Sequence, residues 1–345
     1  MPSANALRRF RLSVYGALVV AFLLVVIGGV VRVSDSGLGC GPGGSGLHGW
    51  PLCQGRFVPA ARAHTIIEYT HRFLAASVVV LLAAILWQAL RRFRDRRALL
   101  GAAVLAMLLV CAQALLGALT VEHGLGTALV AAHLGTAMLL LGVLVVLAVA
   151  VRDRSPTGST APALRGVAVL SCALLFATIV AGGVVAGSEG HGTPGGERSD
   201  GAHLACGREF PSCNGAFLPY GESEPVDIQL AHRTAMFLAV AAIVALALLL
   251  RRHRRGKLAL AISLVLATQV FLGGLNVWAG ESAALVVAHL AVATLLWLLV
   301  ATAVASTRPL AAPVAGRRWR PASPGPLPHG PSRGAPPRPE RAQHG

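Results

Sequence analysis

Hydrophobic and polar positions along the chain resolve into eight apolar runs separated by polar, glycine-rich or arginine-rich connections. The runs cover 12–31, 66–90, 98–121, 127–151, 164–186, 227–250, 258–279 and 283–307. Each reaches the roughly 20 residues that a helix needs to cross a bilayer. The first run follows Arg8, Arg9 and Arg11, so a signal peptide is the competing reading there. That run is too long for one, and no small-x-small cleavage site ends it. The pattern therefore predicts an all-α, polytopic membrane protein with eight transmembrane helices.

Composition strengthens this. Of 345 residues, 55% are hydrophobic and only 13% charged, a balance that soluble domains do not need. The formal charge of +16 raises nucleic acid as a partner, but its distribution argues for no nucleic acid. The basic residues gather before the first span, at 91–97, at 152–165, at 251–257 and beyond 308, always on the same side of the predicted spans. The positive-inside rule makes that side cytoplasmic, and anionic membrane lipid is the natural contact for such clusters. The prediction is a multi-pass plasma membrane protein with both termini cytoplasmic. The Pro-, Arg- and Gly-rich segment 308–345 has no composition for a packed core and is expected to be a disordered cytoplasmic tail.

The first four spans and the last four repeat one design. Trp50-Pro-Leu-Cys-Gln-Gly-Arg-Phe-Val-Pro59 aligns with Phe210-Pro-Ser-Cys-Asn-Gly-Ala-Phe-Leu-Pro219. Gln113-Ala-Leu-Leu-Gly-Ala-Leu aligns with Gln269-Val-Phe-Leu-Gly-Gly-Leu, and Gly28-Gly-Val-Val with Gly182-Gly-Val-Val. An even number of spans per copy keeps orientation, so the halves are expected to be parallel four-helix repeats about an axis along the membrane normal. The expected organisation is a basic leader (1–11), an N-terminal repeat (12–151), a cytoplasmic linker (152–163), a C-terminal repeat (164–307) and the tail.

Candidate chemistry lies at matching places in the repeats. Glu68, His71 and Arg72 sit in the first turns of the second span; Gln229, His232 and Arg233 hold the same places in the sixth. His133 and His289 sit in matching runs of the fourth and eighth. All four histidines fall one to two turns inside helices that start on the outer side. A lone intramembrane histidine often only hydrogen-bonds a neighbouring helix. Four at repeated positions and one depth point to function instead. Two imidazoles per half, with no thiolate or carboxylate cluster, suit axial ligation of haem iron; zinc would want about four ligands. Arg72 and Arg233 either pair with haem propionates or snorkel to the interface. The halves differ where Glu68 faces Gln229. A carboxylate exchanges protons and an amide does not, which points to a reactive N-terminal site and a C-terminal site that holds a redox cofactor. The alternative for Glu68 is a boundary residue solvated by headgroups. Cys40 and Cys53 enclose twelve residues, Cys206 and Cys213 six. Both pairs lie in the outer loops, where structural disulfides persist; redox activity of the first pair and free thiols are the alternatives. Cys111 and Cys172, inside spans, read as packing residues.

Over residues 12–305 the chain resembles the haem A synthase family. The resemblance rests on Gly28-Gly-Val-Val-Arg-Val-Ser-Asp-Ser-Gly-Leu-Gly-Cys40, Trp50-Pro-Leu-Cys53, Glu68-Tyr-Thr-His-Arg72, His133, Cys206 with Cys213, His232-Arg233 and His289. It implies oxidation of the C8 methyl of haem O to a formyl group, giving haem A for terminal oxidases. It further implies a haem b cofactor on His232 and His289, substrate haem O between His71 and His133, Glu68 as the catalytic acid group and a Cys40–Cys53 disulfide. The partners it implies are haem O synthase and terminal oxidase assembly. The Cys40–Cys53 interval is longer than the family's usual one. A bis-histidine dihaem electron-transfer cytochrome, with no chemistry on either ring, is the competing function. A transporter built from parallel repeats fits less well, because no span is evidently broken.

Overall fold

The computed structural model describes residues 4–41, 48, 52–59, 61–123, 125–152, 161–188, 201–280 and 282–307. Among these the secondary structure is helical apart from turns and two isolated β-bridges. The helices are α1 (Ala4–Val33), α2 (Ala63–Arg92), α3 (Arg97–Glu122), α4 (Thr127–Ala150), α5 (Pro162–Gly187), α6 (Glu224–Arg252), α7 (Gly256–Trp278) and α8 (Ala283–Thr307). All eight are long and apolar enough to cross a membrane. The eight predicted runs thus become eight helices.

Several helices extend past the apolar runs that announced them. α1 begins at Ala4, so most of the expected leader is helix rather than a separate segment. The physical reason is packing: Phe10 is fully buried, and its ring lies 4.8 Å from that of Phe93. α2 and α6 likewise start three residues early. Hydropathy marks the part of a helix that sits in hydrocarbon, whereas backbone hydrogen bonding continues through polar turns at the interface. The expected tail lies outside the described residues, as do 153–160 of the expected linker.

Inside and outside are almost equally apolar. Leu12, Val19, Val80, Leu108, Leu260 and Leu264 are exposed on the helix surfaces. A water-soluble surface would not carry so much contiguous apolar area; lipid is the solvent these side chains match. Where α2 ends, the Arg91 guanidinium lies 4.2 Å from the centre of the Trp87 ring, an aromatic and a cation at the level where both anchor a span.

Neighbour relations fall into two closed rings. α1 packs on α2, α2 on α3, α3 on α4 and α4 back on α1; α5 through α8 do the same. The rings join where α4 meets α5 and α8, and where α1 meets α8. In the buried centre the Trp297 indole N–H donates to the Met138 carbonyl at 2.8 Å, tying α8 to α4. At the outer end the Arg32 Nε–H donates to the Ala186 carbonyl at 3.1 Å. Consecutive helices run antiparallel. The even-numbered ones therefore all start on the face that carries the cysteine loops, and the described arginine clusters, at 8–11, 91–97 and 251–257, lie at the other.

Candidate functional site

The four histidines stand six to eight residues into α2, α4, α6 and α8, or roughly 10 Å from the helix starts at about 1.5 Å per residue. The fold brings them together in pairs. His71 and His133 are close enough for a charge on one to be felt at the other, and so are His232 and His289. Each pair spans one four-helix ring, on α2 and α4 or on α6 and α8.

Each imidazole lies against a glycine on the preceding helix. A methyl carbon placed at Gly28 would lie 3.1 Å from His71 Cε1, and at Gly182 3.0 Å from His232 Cε1. At Gly117 the distance to His133 Cε1 is 3.4 Å, and at Gly273 to His289 Cε1 it is 3.1 Å. At Gly28, Gly182 and Gly273 an added methyl would press the ring by a few tenths of an ångström, while at Gly117 it would only touch it. The sequence showed these glycines only as part of the repeat between the halves. Their pairing with histidines comes from helix neighbours that sequence order alone does not assign.

Hydrogen bonds orient the rings further. His232 Nδ1 lies 3.0 Å from the Thr178 carbonyl oxygen. A carbonyl only accepts, so Nδ1 carries the proton and Nε2 keeps its lone pair for a metal. The amide of Gln269 approaches both ring nitrogens of His289, at 3.3 and 3.1 Å. Gln113, its counterpart, donates instead to the His133 backbone carbonyl at 2.7 Å. Nδ1 of His133 is buried without a hydrogen-bond partner among the described residues, whereas His71 lies against the Leu24 backbone carbonyl, four residues before Gly28 as Thr178 is before Gly182.

Glu68 is buried, at 3% exposure, so it is not a headgroup-solvated boundary residue. One carboxylate oxygen accepts from the Cys40 backbone N–H at 2.7 Å, and the other pairs with Arg72 one helical turn on. Arg72 also donates to the Leu52 carbonyl at 2.9 Å. The carboxylate is thus held by the cysteine loop from both sides of the Cys40–Cys53 bridge. The C-terminal half repeats the frame without the charge: Arg233 donates to the Ser212 carbonyl at 2.6 Å. There Gln229 Oε1 and Arg233 Nη2 are buried without hydrogen-bond partners among the described residues. The Arg233 guanidinium lies 5.7 Å from the Phe210 ring centre.

Both loop pairs are disulfides, Cys40–Cys53 and Cys206–Cys213. Each second cysteine opens a two-residue turn, Cys53 to Arg56 and Cys213 to Ala216, closed by paired backbone bonds of 2.9 and 3.0 Å. The central residues Gln54-Gly55 and Asn214-Gly215 have positive φ, the geometry of a type I′ turn. An Xaa-Gly dipeptide beside each cysteine was the available signal. Alkylation of the unfolded, unreduced protein should therefore modify only Cys111 and Cys172, and reduction should raise the count to all six cysteines. Mass spectrometry reads the difference, and four or more modified thiols before reduction would exclude the two bridges.

His203, which the sequence gave no role, lies near enough to His232 for their charges to interact. His64, at the start of α2, shares a hydrogen bond of 3.0 Å with Ser36. Trp50 and the middle of the Cys40–Cys53 interval lie outside the described residues.

The donor set fits haem. Each ring offers two imidazoles from two of its helices and, in the C-terminal half, a buried guanidinium nitrogen and amide oxygen without hydrogen-bond partners among the described residues. Among the described residues no three His, Cys, Asp or Glu side chains converge as a metal cluster would require. Two protein ligands from opposite sides are what porphyrin iron takes.

The profile of the family described as cytochrome oxidase assembly protein (COX15-CtaA) matches residues 11–301. The heme A synthase of Halalkalibacterium halodurans is 33% identical over 256 residues, 70% of this chain and 77% of that protein. That of Shouchella clausii is 31% identical over 225 residues, covering 63% and 67%. That of Alkalihalophilus pseudofirmus is 33% identical over 233 residues, covering 65% and 71%. With nearly the whole helical body matched, the chain belongs to the COX15-CtaA family of cytochrome oxidase assembly proteins, the haem A synthase family.

Proposed function

We propose that this chain oxidises the C8 methyl group of haem O to a formyl group, giving haem A for terminal oxidase assembly. The observation that carries the reading is the difference between two otherwise matched sites. Beside His71 stands a buried carboxylate fixed by a backbone amide and an arginine; beside His232 stands an amide, Gln229. The N-terminal repeat (12–151) is the substrate half, with His71 and His133 bracketing haem O. The C-terminal repeat (164–307) is the cofactor half, in which His232 and His289 would hold haem b. Arg72 and Arg233 stand by the histidines where porphyrin carboxylates are met, Arg233 with a buried N–H to give.

Converting a methyl to a formyl group exchanges two C–H bonds for a C=O bond; with water as the oxygen donor, R–CH3 + H2O gives R–CHO and releases four protons and four electrons, which pass through a bound redox group to an external electron acceptor. Glu68 is placed to take a proton or to stabilise positive charge developing next to the ring, since its carboxylate is preorganised and shielded from water. The bound haem b supplies one-electron redox chemistry near the substrate. His71, His133 and their glycine partners orient the substrate ring. The disulfide loops cover the outer ends of both sites. Haem O brings an isoprenoid tail and therefore reaches the protein from the bilayer. The topology that goes with this reading is a plasma membrane protein with both termini cytoplasmic, supported by the described arginine clusters at 8–11, 91–97 and 251–257 sharing one face. Haem O synthase is then the supplier and terminal oxidase assembly the consumer.

The test is pigment analysis. Cells that make haem O but lack another route to haem A should accumulate haem A, or a hydroxylated intermediate, when they express this chain. Haem-loaded protein with unchanged haem O in those cells would instead favour a bis-histidine electron-transfer cytochrome.

A further inference from the structure

Adjacent positions on a helix point about 100° apart, so a Gly-Gly pair opens two different faces of one helix. In α1 the first glycine, Gly28, faces His71 of its own ring. The second, Gly29, faces the other ring: a methyl carbon there would lie 2.7 Å from Leu290 Cδ2 and 3.9 Å from Val287 Cγ2. Leu290 follows His289 directly, and Val287 precedes it by two on α8. α5 mirrors the arrangement. Gly182 faces His232 of its own ring, and Gly183 faces α4, 3.2 Å from both Ala131 Cα and Leu134 Cδ2. Leu134 follows His133 directly.

We propose that the pairs Gly28-Gly29 and Gly182-Gly183 are positioning residues that join the two porphyrin sites across the seam between the halves. Each pair seats a histidine of its own half with one glycine and the histidine-bearing helix of the opposite half with the next. The path from His71 to His289 then runs through two consecutive α1 residues and Leu290; the path from His232 to His133 runs through two consecutive α5 residues and Leu134. The Arg32–Ala186 bond, one turn beyond Gly29, closes the same seam at its outer end. Packed interiors transmit displacement because they have few voids to absorb it. The placement of each site is consequently fixed in part by the half that does not contain it. The inference rests on the assignment of the four histidines as haem ligands.

The test uses the full-length, haem-loaded protein in detergent or nanodiscs, read by electron paramagnetic resonance of the ferric haems and by reduced-minus-oxidised optical spectra. The signal that disappears in His232→Ala belongs to the C-terminal site. If no haem signal responds to that variant, the ligand assignment itself fails and the seam is not at issue. With the assignment in place, Gly29→Ala, a change in the N-terminal half, should shift the C-terminal signal at unchanged haem content. The close atom there is the end of a flexible leucine, so the chain can still fold. Adding Leu290→Ala should relieve the contact and move the Gly29→Ala signal back towards the original. Gly183→Ala should act in the reverse sense on the N-terminal site. Gly16→Ala, on α1 with no atom within 4 Å of the added carbon, should change nothing. The proposal is overturned if Gly29→Ala and Gly183→Ala leave the opposite half's signal unmoved, or if Gly16→Ala moves it as much.

Discussion

Replacing Glu68 with Gln should leave the protein folded and haem-binding while haem A formation falls by about a hundredfold or more, the usual scale for losing a positioned proton-transfer group. The substitution is nearly isosteric, and the Cys40 N–H can still donate to the amide oxygen. The second half of the molecule shows that the frame accommodates such a group: Gln229 occupies the same place beside Arg233 and is equally buried. Loss of the ion pair with Arg72 leaves that guanidinium its bond to the Leu52 carbonyl. Haem extraction and chromatography from matched amounts of protein provide the measurement. Turnover within a fewfold of the original would remove Glu68 from the chemistry. A parallel loss of bound haem would make it a structural residue instead.

The second large effect is expected at His232. Its Nδ1 proton is committed to the Thr178 carbonyl, and its ring rests on Gly182, so Nε2 is aimed and basic before any ligand arrives. His232→Ala should abolish the six-coordinate, low-spin spectrum of the C-terminal site. The haem-to-protein ratio should drop by the share of one site while the N-terminal signal persists. A smaller and separable change is expected when only the orientation is disturbed, because the imidazole remains. An undiminished low-spin spectrum in His232→Ala would place that haem on other ligands.

Glu68 and Gln229 also show why two copies of one design need not do one job. The frame around them is shared: an arginine one turn on, a carbonyl just before the second cysteine, a disulfide and a tight turn. Only the group at the centre differs. In the N-terminal half the arginine's charge is balanced within the protein. In the C-terminal half an arginine N–H and an amide oxygen stay unmatched in the interior. Among the described residues these two atoms have no hydrogen-bond partner, and leaving such groups without partners costs free energy; on the proposed reading, a bound porphyrin carboxylate would meet the arginine N–H.

Much of this was legible in the linear chain. The length of the apolar runs fixed the number of helices, because a bilayer demands about 20 residues per crossing. The arginine clusters fixed which helix ends share a face. The recurrence of Gly-Gly-Val-Val, Gln-x-x-x-Gly and the cysteine turns exposed the duplication, and with it the four histidines as a set. Two things the chain alone did not hold. One was where each helix begins, since hydropathy ends at the hydrocarbon while α1 continues to Ala4 on the packing of Phe10 against Phe93. The other was who faces whom. In a membrane the outer surface is as apolar as the core, so periodicity does not mark the buried side of a helix. Only the packed helices decided that Glu68 lies buried under the Cys40 amide, that each of the four histidines lies against a glycine, and that the neighbouring glycines of α1 and α5 reach across to the other half.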